Sequence, residues 1–306
     1  MKRLVFAAIC IMASAQLFAQ DGEFSIAKWR GNAQCALSYT FDDGLADQYT
    51  LAFPVMKECG IRGTFWLVGS KISNPSGFRS RVERHTPTMT WEMVKEMAAA
   101  GQEMSSHGFA HAKLAQMDND AIIKEVLDNK RLLKEKAGID ALTFAYPFNA
   151  KINKNKESIV ELVESQGLIG SRRAQKAFGG GITPEKAKAL VERAKKKHEW
   201  LVFMTHGIAR GYDAFKDPQV FYSHLRWVSK EPGIWIAPFC EVCAYEKERN
   251  ATTLEFEKLE DGSLRVTPKV EGLDASLFKE PLTLVDASGK VVMDFNPFEG
   301  AFIINR

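Results

Sequence analysis

Neither sign of charge is in large excess in this chain: 41 Lys plus Arg stand against 38 Asp plus Glu, a formal charge of +3 over 306 residues. Loss of an N-terminal segment carrying Lys2 and Arg3 would bring it to about +1. Electrostatics therefore makes no case for nucleic acid as a partner. Cysteine is scarce, and five in a chain of this length make no disulfide framework. No stretch after the first dozen residues approaches the about 18 uninterrupted apolar residues of a membrane span. Internal repeats and low-complexity segments are lacking too. What is present, 45% hydrophobic, 10% aromatic and 26% charged residues, is an ordinary globular composition that excludes disordered and collagen-like classes. The length suits one large domain with a small appendage, or two medium domains.

The first 20 residues read MKRLVFAAICIMASAQLFAQ. Basic Lys2 and Arg3, an apolar run over 4–12 and small Ala13, Ala15 and Ala19 have the order of a secretory signal peptide. Export to the periplasm or beyond is the expectation, and a buried N-terminal strand or helix is the alternative. Cys10 would leave with the leader, while Cys35, Cys59, Cys240 and Cys243 stay. Cys240 and Cys243 form a CxxC that reads as a redox pair, half a metal site, or two small residues in the first turn of a helix. No second CxxC supports the first two readings, so the helical turn is preferred; an oxidising compartment would still permit a local disulfide.

Apolar strand-like runs fall at 36–41, 63–68, 102–106, 142–146, 168–171, 200–205 and 234–238. Helical patterns lie between them, with Thr90, Asp118 and Thr183 as N-caps, Pro184 as a first helical residue, and Gly101 and Gly138 as stops. Further helices are expected near 53–58, 156–166 and 219–229. Strand followed by helix, repeated seven times, predicts a parallel α/β sheet closed or nearly closed into a barrel. After Asn250 the period changes to two, as in TLEFEKLE, Asp261-Gly262, SLRVTPKV, which predicts β-hairpins. The expected division is a leader at 1–20, a barrel at 21–250 and a small all-β appendage at 251–306 that leans on the barrel.

The chemistry-bearing residues sit at the carboxyl ends of the predicted strands, where barrels of this kind build their sites. The first strand ends in Thr40-Phe41-Asp42-Asp43-Gly44. Adjacent carboxylates repel unless a cation or proton is shared between them, although Asp-Gly alone is also an ordinary turn. The third strand runs into His107-Gly108-Phe109-Ala110-His111, a spacing that puts two imidazoles on one side of a helical turn. They could share a metal, and with a carboxylate from the first strand would leave an open coordination position. The fourth strand ends at Tyr146-Pro147-Phe148 and the sixth at Thr205-His206-Gly207. His85, His198 and His224 receive no role.

The set TFDDG (40–44), SHGFAH (106–111), FAYPF (144–148) and THG (205–207) resembles the polysaccharide deacetylases, the NodB-homology proteins of carbohydrate esterase family 4. The resemblance spans about 35–250 and leaves out the β tail. It implies a distorted (β/α)7 barrel holding one divalent metal, zinc first, with cobalt, nickel or manganese as alternatives, and an acetylated carbohydrate as substrate. Carried onto this sequence, Asp42 would be the general base, Asp43, His107 and His111 the metal ligands, and His206 the general acid. The Phe148 backbone N–H would be the oxyanion donor, with Tyr146, Pro147 and Arg172 lining the substrate site.

Three departures stand out. Ala145 occupies the position where the family's common form has the arginine that holds the catalytic Asp, as in the FAYPYG subgroup; Arg172 or Arg173 could take its place. The fourth motif's Asp and Trp, which would orient the acid histidine, are not found. Gly108 replaces a usual Ser or Thr. Trp66, Trp91 or Tyr212 could stack on a sugar ring. A carbohydrate-binding protein on the same barrel is the rival reading, and a thiol oxidoreductase using Cys240 and Cys243 a weaker one. Oligomeric state is not legible.

Overall fold

The computed structural model of the chain describes residues 17–19, 22–79, 83 and 85–305. The expected leader lies outside the described residues except for 17–19. In chain order the elements begin with β1 (Leu17–Ala19), β2 (Phe24–Ile26) and β3 (Cys35–Asp43), followed by α1 (Phe53–Glu58), β4 (Thr64–Leu67), α2 (Trp91–Ala99) and β5 (Glu103–Ser106). The chain continues through α3 (Asn119–Ala137), β6 (Thr143–Phe144), α4 (Val160–Glu164), β7 (Gly170–Ser171), β8 (Lys176–Ala177), α5 (Pro184–Lys197) and β9 (Trp200–Thr205). Next come α6 (Pro218–Val228), β10 (Ile234–Ile236) and α7 (Phe239–Ala251). The tail consists of β11 (Thr252–Lys258), β12 (Leu264–Val270), β13 (Leu282–Asp286), β14 (Val291–Phe295) and β15 (Phe302–Ile304).

Every residue of β3 is buried, the signature of a parallel strand covered on both faces. It is the axis of the sheet. Along one edge it pairs with β9; the other edge is shared by β10 at its start and β4 at its end. The parallel order β7-β6-β5-β4-β3-β9-β8 curls into a distorted (β/α)7 barrel. All seven predicted strands are present. The extra strand β8, Lys176–Ala177, is exposed and sits in no apolar run that would mark it, and β7 and β8 do not pair with each other. The helices start where their caps predict: Thr90 accepts from the Met93 amide, Asp118 from Ala121 and Thr183 from Lys186, while Gly138 closes α3 at φ +71°.

The tail forms hairpins as expected, and it also recruits the chain's beginning. One sheet has the order β1-β11-β12-β15 and the other β14-β13-β2. Helix α7 ties them to the barrel: Tyr245, fully buried among Leu254, Phe256, Val266 and Leu284, donates its hydroxyl to the Ala27 carbonyl at 2.8 Å. Cys240 and Cys243 lie in the first turns of that helix, and all four described cysteines are free thiols. Burial pushes the Cys240 thiol well above its ordinary range and Cys243 up to about 12, which disfavours the thiolate that the thiol-redox reading needs. Among the described residues no helix is long and apolar enough to cross a membrane.

Inside the barrel wall His224 is buried against Phe178 and Phe203 and meets the Tyr39 hydroxyl at 2.7 Å. Burial lowers its pKa to about 4. The unfolded chain, with histidine near the usual ~6.5, takes up a proton first as pH falls. This contribution to stability is therefore whole above about 6.5 and is lost on descending towards 4. Chemical unfolding of His224→Gln, which retains an acceptor for Tyr39, should show a pH slope over that window shallower than the parent's by up to one proton, about 1.4 kcal/mol per pH unit. An identical slope in both proteins would contradict the buried neutral imidazole.

Candidate metal centre and catalytic residues

Strand geometry alone would send the side chains of Asp42 and Asp43 to opposite faces. Asp43 escapes this because its backbone is left-handed, φ +77°, and Gly44 continues the turn at φ +70°. The strain of a non-glycine residue there, of order 1 kcal/mol or more, brings both carboxylates to one imidazole: His107 Nε2 lies 3.9 Å from Asp42 Oδ2 and 3.6 Å from Asp43 Oδ1. His107 Nδ1 contacts the Ala145 carbonyl at 2.8 Å. A carbonyl can only accept, so Nδ1 carries the hydrogen and Nε2 presents its lone pair to the carboxylates.

His111 reaches the same oxygen, its Nε2 3.5 Å from Asp43 Oδ1, but by a route that differs from expectation. The 107–111 segment is not a helical turn. Gly108 sits at φ +81° and His111 at φ +57°, and the α3 residue Glu125 holds the irregular loop, its carboxylate accepting from Ala110 N at 2.6 Å and Ala112 N at 3.4 Å. A Cβ at position 108 would be strained at that φ and stand 3.2 Å from Glu125 Oε1. Glycine is thus what the loop requires, which accounts for the departure from Ser or Thr.

Ligand atoms of Asp43, His107 and His111 all fall within 4.8 Å of one another. Burial pushes Asp43 up to about 8, reinforced by the charge of Asp42, and pushes His107 down to about 4 and His111 down to about 3. Asp43 Oδ1 is buried with no hydrogen-bond partner. A desolvated carboxylate with an orphaned oxygen, facing two neutral imidazole lone pairs, is a donor set that fits a divalent cation.

Asp42 is the opposite case. Burial alone would raise its pKa, yet Arg172, His107 and His206 together bring it down to about 2. Arg172 grips both carboxylate oxygens, at 2.8 and 2.5 Å, and donates to Thr40 Oγ1 at 3.0 Å. Its guanidinium rests 4.6 Å from the Trp66 ring centre. Arg172 was expected among the substrate-binding residues; at 3% exposure and with its fork committed to Asp42, it is instead the partner that Ala145 cannot supply. Arg173 turns away to Glu164 at 2.9 Å. Tyr146 and Pro147, also read as substrate contacts, are buried, and the Tyr146 hydroxyl donates to Ser171 Oγ. Apolar packing claims them.

Phe148 has φ +57° and is 62% exposed, its ring 4.6 Å from that of His111. Across the site His206 is lowered by burial, with the charge of Asp42 opposing, and the exposed Tyr212 ring stands edge-on to it at 5.1 Å. Trp66 belongs to the core, and Trp91 packs against it. Sequence reasoning missed Glu125, Asp47 and Gln48. The last two follow the DDG turn by three and four residues, where a π-helical turn, Gln48–Ala52, begins, and nothing in the local residue pattern marks them.

Residues 31–168 match the family model described as polysaccharide deacetylase. A putative polysaccharide deacetylase of Bacillus subtilis is 28% identical over 134 residues, 44% of this chain and 42% of that protein. Chitin deacetylase 1 of Cryptococcus neoformans is 26% identical over 110 residues, 36% of this chain and 20% of that protein. The chain thus spans less than half the length of these curated relatives. A putative polysaccharide deacetylase structure from Mycobacterium smegmatis shares the fold, with TM-score 0.56 at 15% identity over 77% of this chain and 96% of that one. The catalytic domain of a peptidoglycan N-acetylglucosamine deacetylase from Eubacterium rectale does so with TM-score 0.50 at 16% identity over 70% and 92%.

Removing the Arg172 fork would leave the Asp42 charge buried and unpaired. Arg172→Met should cost roughly 3–5 kcal/mol in unfolding free energy, and the double variant Arg172→Met, Asp42→Asn should recover most of that loss. A single variant within about 0.5 kcal/mol of the parent would contradict the pairing.

Proposed function

Residues 31–168 of this chain belong to the polysaccharide deacetylase family, and on that basis we propose that the protein hydrolyses acetyl groups from a carbohydrate with the help of one divalent cation. The observation that carries this reading is the meeting of Asp43, His107 and His111 around one point beside the ionised Asp42. Those three residues would hold the cation, zinc first among the candidates, and the chemistry it would supply there is that of a Lewis acid, acidifying water and polarising an acetyl carbonyl.

The chain's own residues do the rest. Asp42, held unprotonated and oriented by Arg172, accepts a proton from the attacking water. The two-point fork fixes the orientation of the carboxylate plane, so the base is positioned before substrate arrives. The Phe148 backbone N–H offers a hydrogen bond to the carbonyl oxygen as charge develops there, worth on the order of 3 kcal/mol for a well-placed donor. His206 carries the proton to the departing nitrogen or oxygen, and acetate and the free sugar leave. Burial lowers its pKa in the free protein, with the charges of Asp42 and Asp213 acting in the opposite direction. Phe148 and Tyr212, both exposed over the two histidines, offer apolar faces to a sugar ring. We take N-acetylglucosamine polymers as the first substrates to try, a choice supported by the chitin deacetylase among the relatives. The leader-like segment 1–20 supports export to where such polymers lie.

Acetate release should be measured from chitooligosaccharides, peptidoglycan fragments and acetylated xylan, with and without added divalent metal. The parent should release acetate from at least one substrate in a metal-dependent manner. Asp42→Asn should lose at least about 100-fold in kcat while still binding metal. Metal binding without acetate from any substrate would favour a carbohydrate-binding role, and full activity in Asp42→Asn would overturn the assignment of the base.

A further inference from the structure

With no fourth-motif Asp or Trp legible to orient His206, two consecutive residues, Asp47 and Gln48, hold its carbonyl and the turn that follows it. Gln48, fully buried, donates from one side-chain amide to two carbonyls, that of Asp42 at 2.6 Å and that of His206 at 2.8 Å. Both partners can only accept, so the amide has only one workable orientation. Asp47 grips the following turn: one carboxylate oxygen accepts from the amides of Ile208 and Ala209 at 2.8 Å and of Arg210 at 3.1 Å. That turn is tight, since a Cβ on Gly207 would lie 1.6 Å from the Arg210 carbonyl. On its far side the Glu83 carboxylate takes the Gly211 amide at 2.9 Å.

We infer that Gln48 is a positioning residue that fixes the acid His206 relative to the base Asp42, with Asp47 bracing the loop behind it. The inference rests on the deacetylase reading for its catalytic consequence, but the tie itself is a property of the chain. The Gln48 carboxamide bridges Asp42 on β3 and His206 just past the end of β9, two strands that pair only as far as Phe41 and Thr205. Beyond that last register position His206 leaves the sheet while Asp42 stays paired with β4 alone, and Gln48 takes over where the β3–β9 ladder stops. A π-helical turn at Gln48–Ala52 sets the first residue of α1's approach against the ladder's end; such turns are rare and recur at functional sites.

The test compares Gln48→Leu, which removes both bonds, and Gln48→Asn, which shortens the reach, with Gln102→Leu. Gln102 is a buried glutamine that bonds Gly63 N and the Ile61 carbonyl away from the site and so reports the cost of losing such a side chain. On the parent's best acetylated substrate, Gln48→Leu should lower kcat roughly 10- to 100-fold with KM within about twofold. Gln48→Asn should fall between it and the parent, and Gln102→Leu should leave kcat unchanged. In the same proteins without substrate, amide exchange at 207–210 should accelerate in Gln48→Leu and not in Gln102→Leu. Equal kcat and equal exchange for the two Leu variants would overturn the inference. If the parent releases no acetate, the deacetylase reading fails, and the exchange comparison still decides whether Gln48 holds the His206 loop.

Discussion

Two carboxylates on successive residues, 2% and 8% exposed, cannot both stay charged unless each finds its own positive partner. The structure resolves the conflict asymmetrically. Asp42 receives a permanent partner, Arg172, and is driven down to about 2; Asp43 receives none from the protein and is pushed up to about 8. The first becomes a fixed anion, the second a site that wants a cation. The left-handed backbone at Asp43, the inward Nε2 atoms of His107 and His111 and the Glu125-held loop all serve that second requirement.

Much of the architecture could be read before any coordinates. All seven strand runs, the caps at Thr90, Asp118 and Thr183 and the hairpin tail are there, because each follows from short-range periodicity and local hydrogen bonding. The pairing of Leu17–Ala19 and Phe24–Ile26 with tail strands was not legible, since antiparallel partners more than 200 residues apart leave no local trace. Lys176–Ala177 is exposed and lies in no apolar run, unlike the equally short but buried β6 and β7.

The site divides in the same way. Asp42, Asp43, His107, His111 and His206 stand at strand ends, so a strand count sufficed to bring them together. The manner of meeting did not follow from spacing: i and i+4 suggested a helical turn, whereas Gly108 and His111 take left-handed conformations and a carboxylate from α3 shapes the loop. Arg172 could be named as one of two possible substitutes for the arginine absent at Ala145. Choosing between it and Arg173 needed the direction each side chain takes from the end of β7. Gln48 and Asp47 escaped notice because their work is done on carbonyls and amides, which no residue pattern encodes.

Crystals soaked in zinc and measured at the metal's absorption edge would test the account at its centre. One strong anomalous peak is predicted about 2.0–2.2 Å from a carboxylate oxygen of Asp43 and from Nε2 of both His107 and His111, with Asp42 still forked by Arg172. Zinc scattered over surface residues, with those three side chains turned apart, would contradict it.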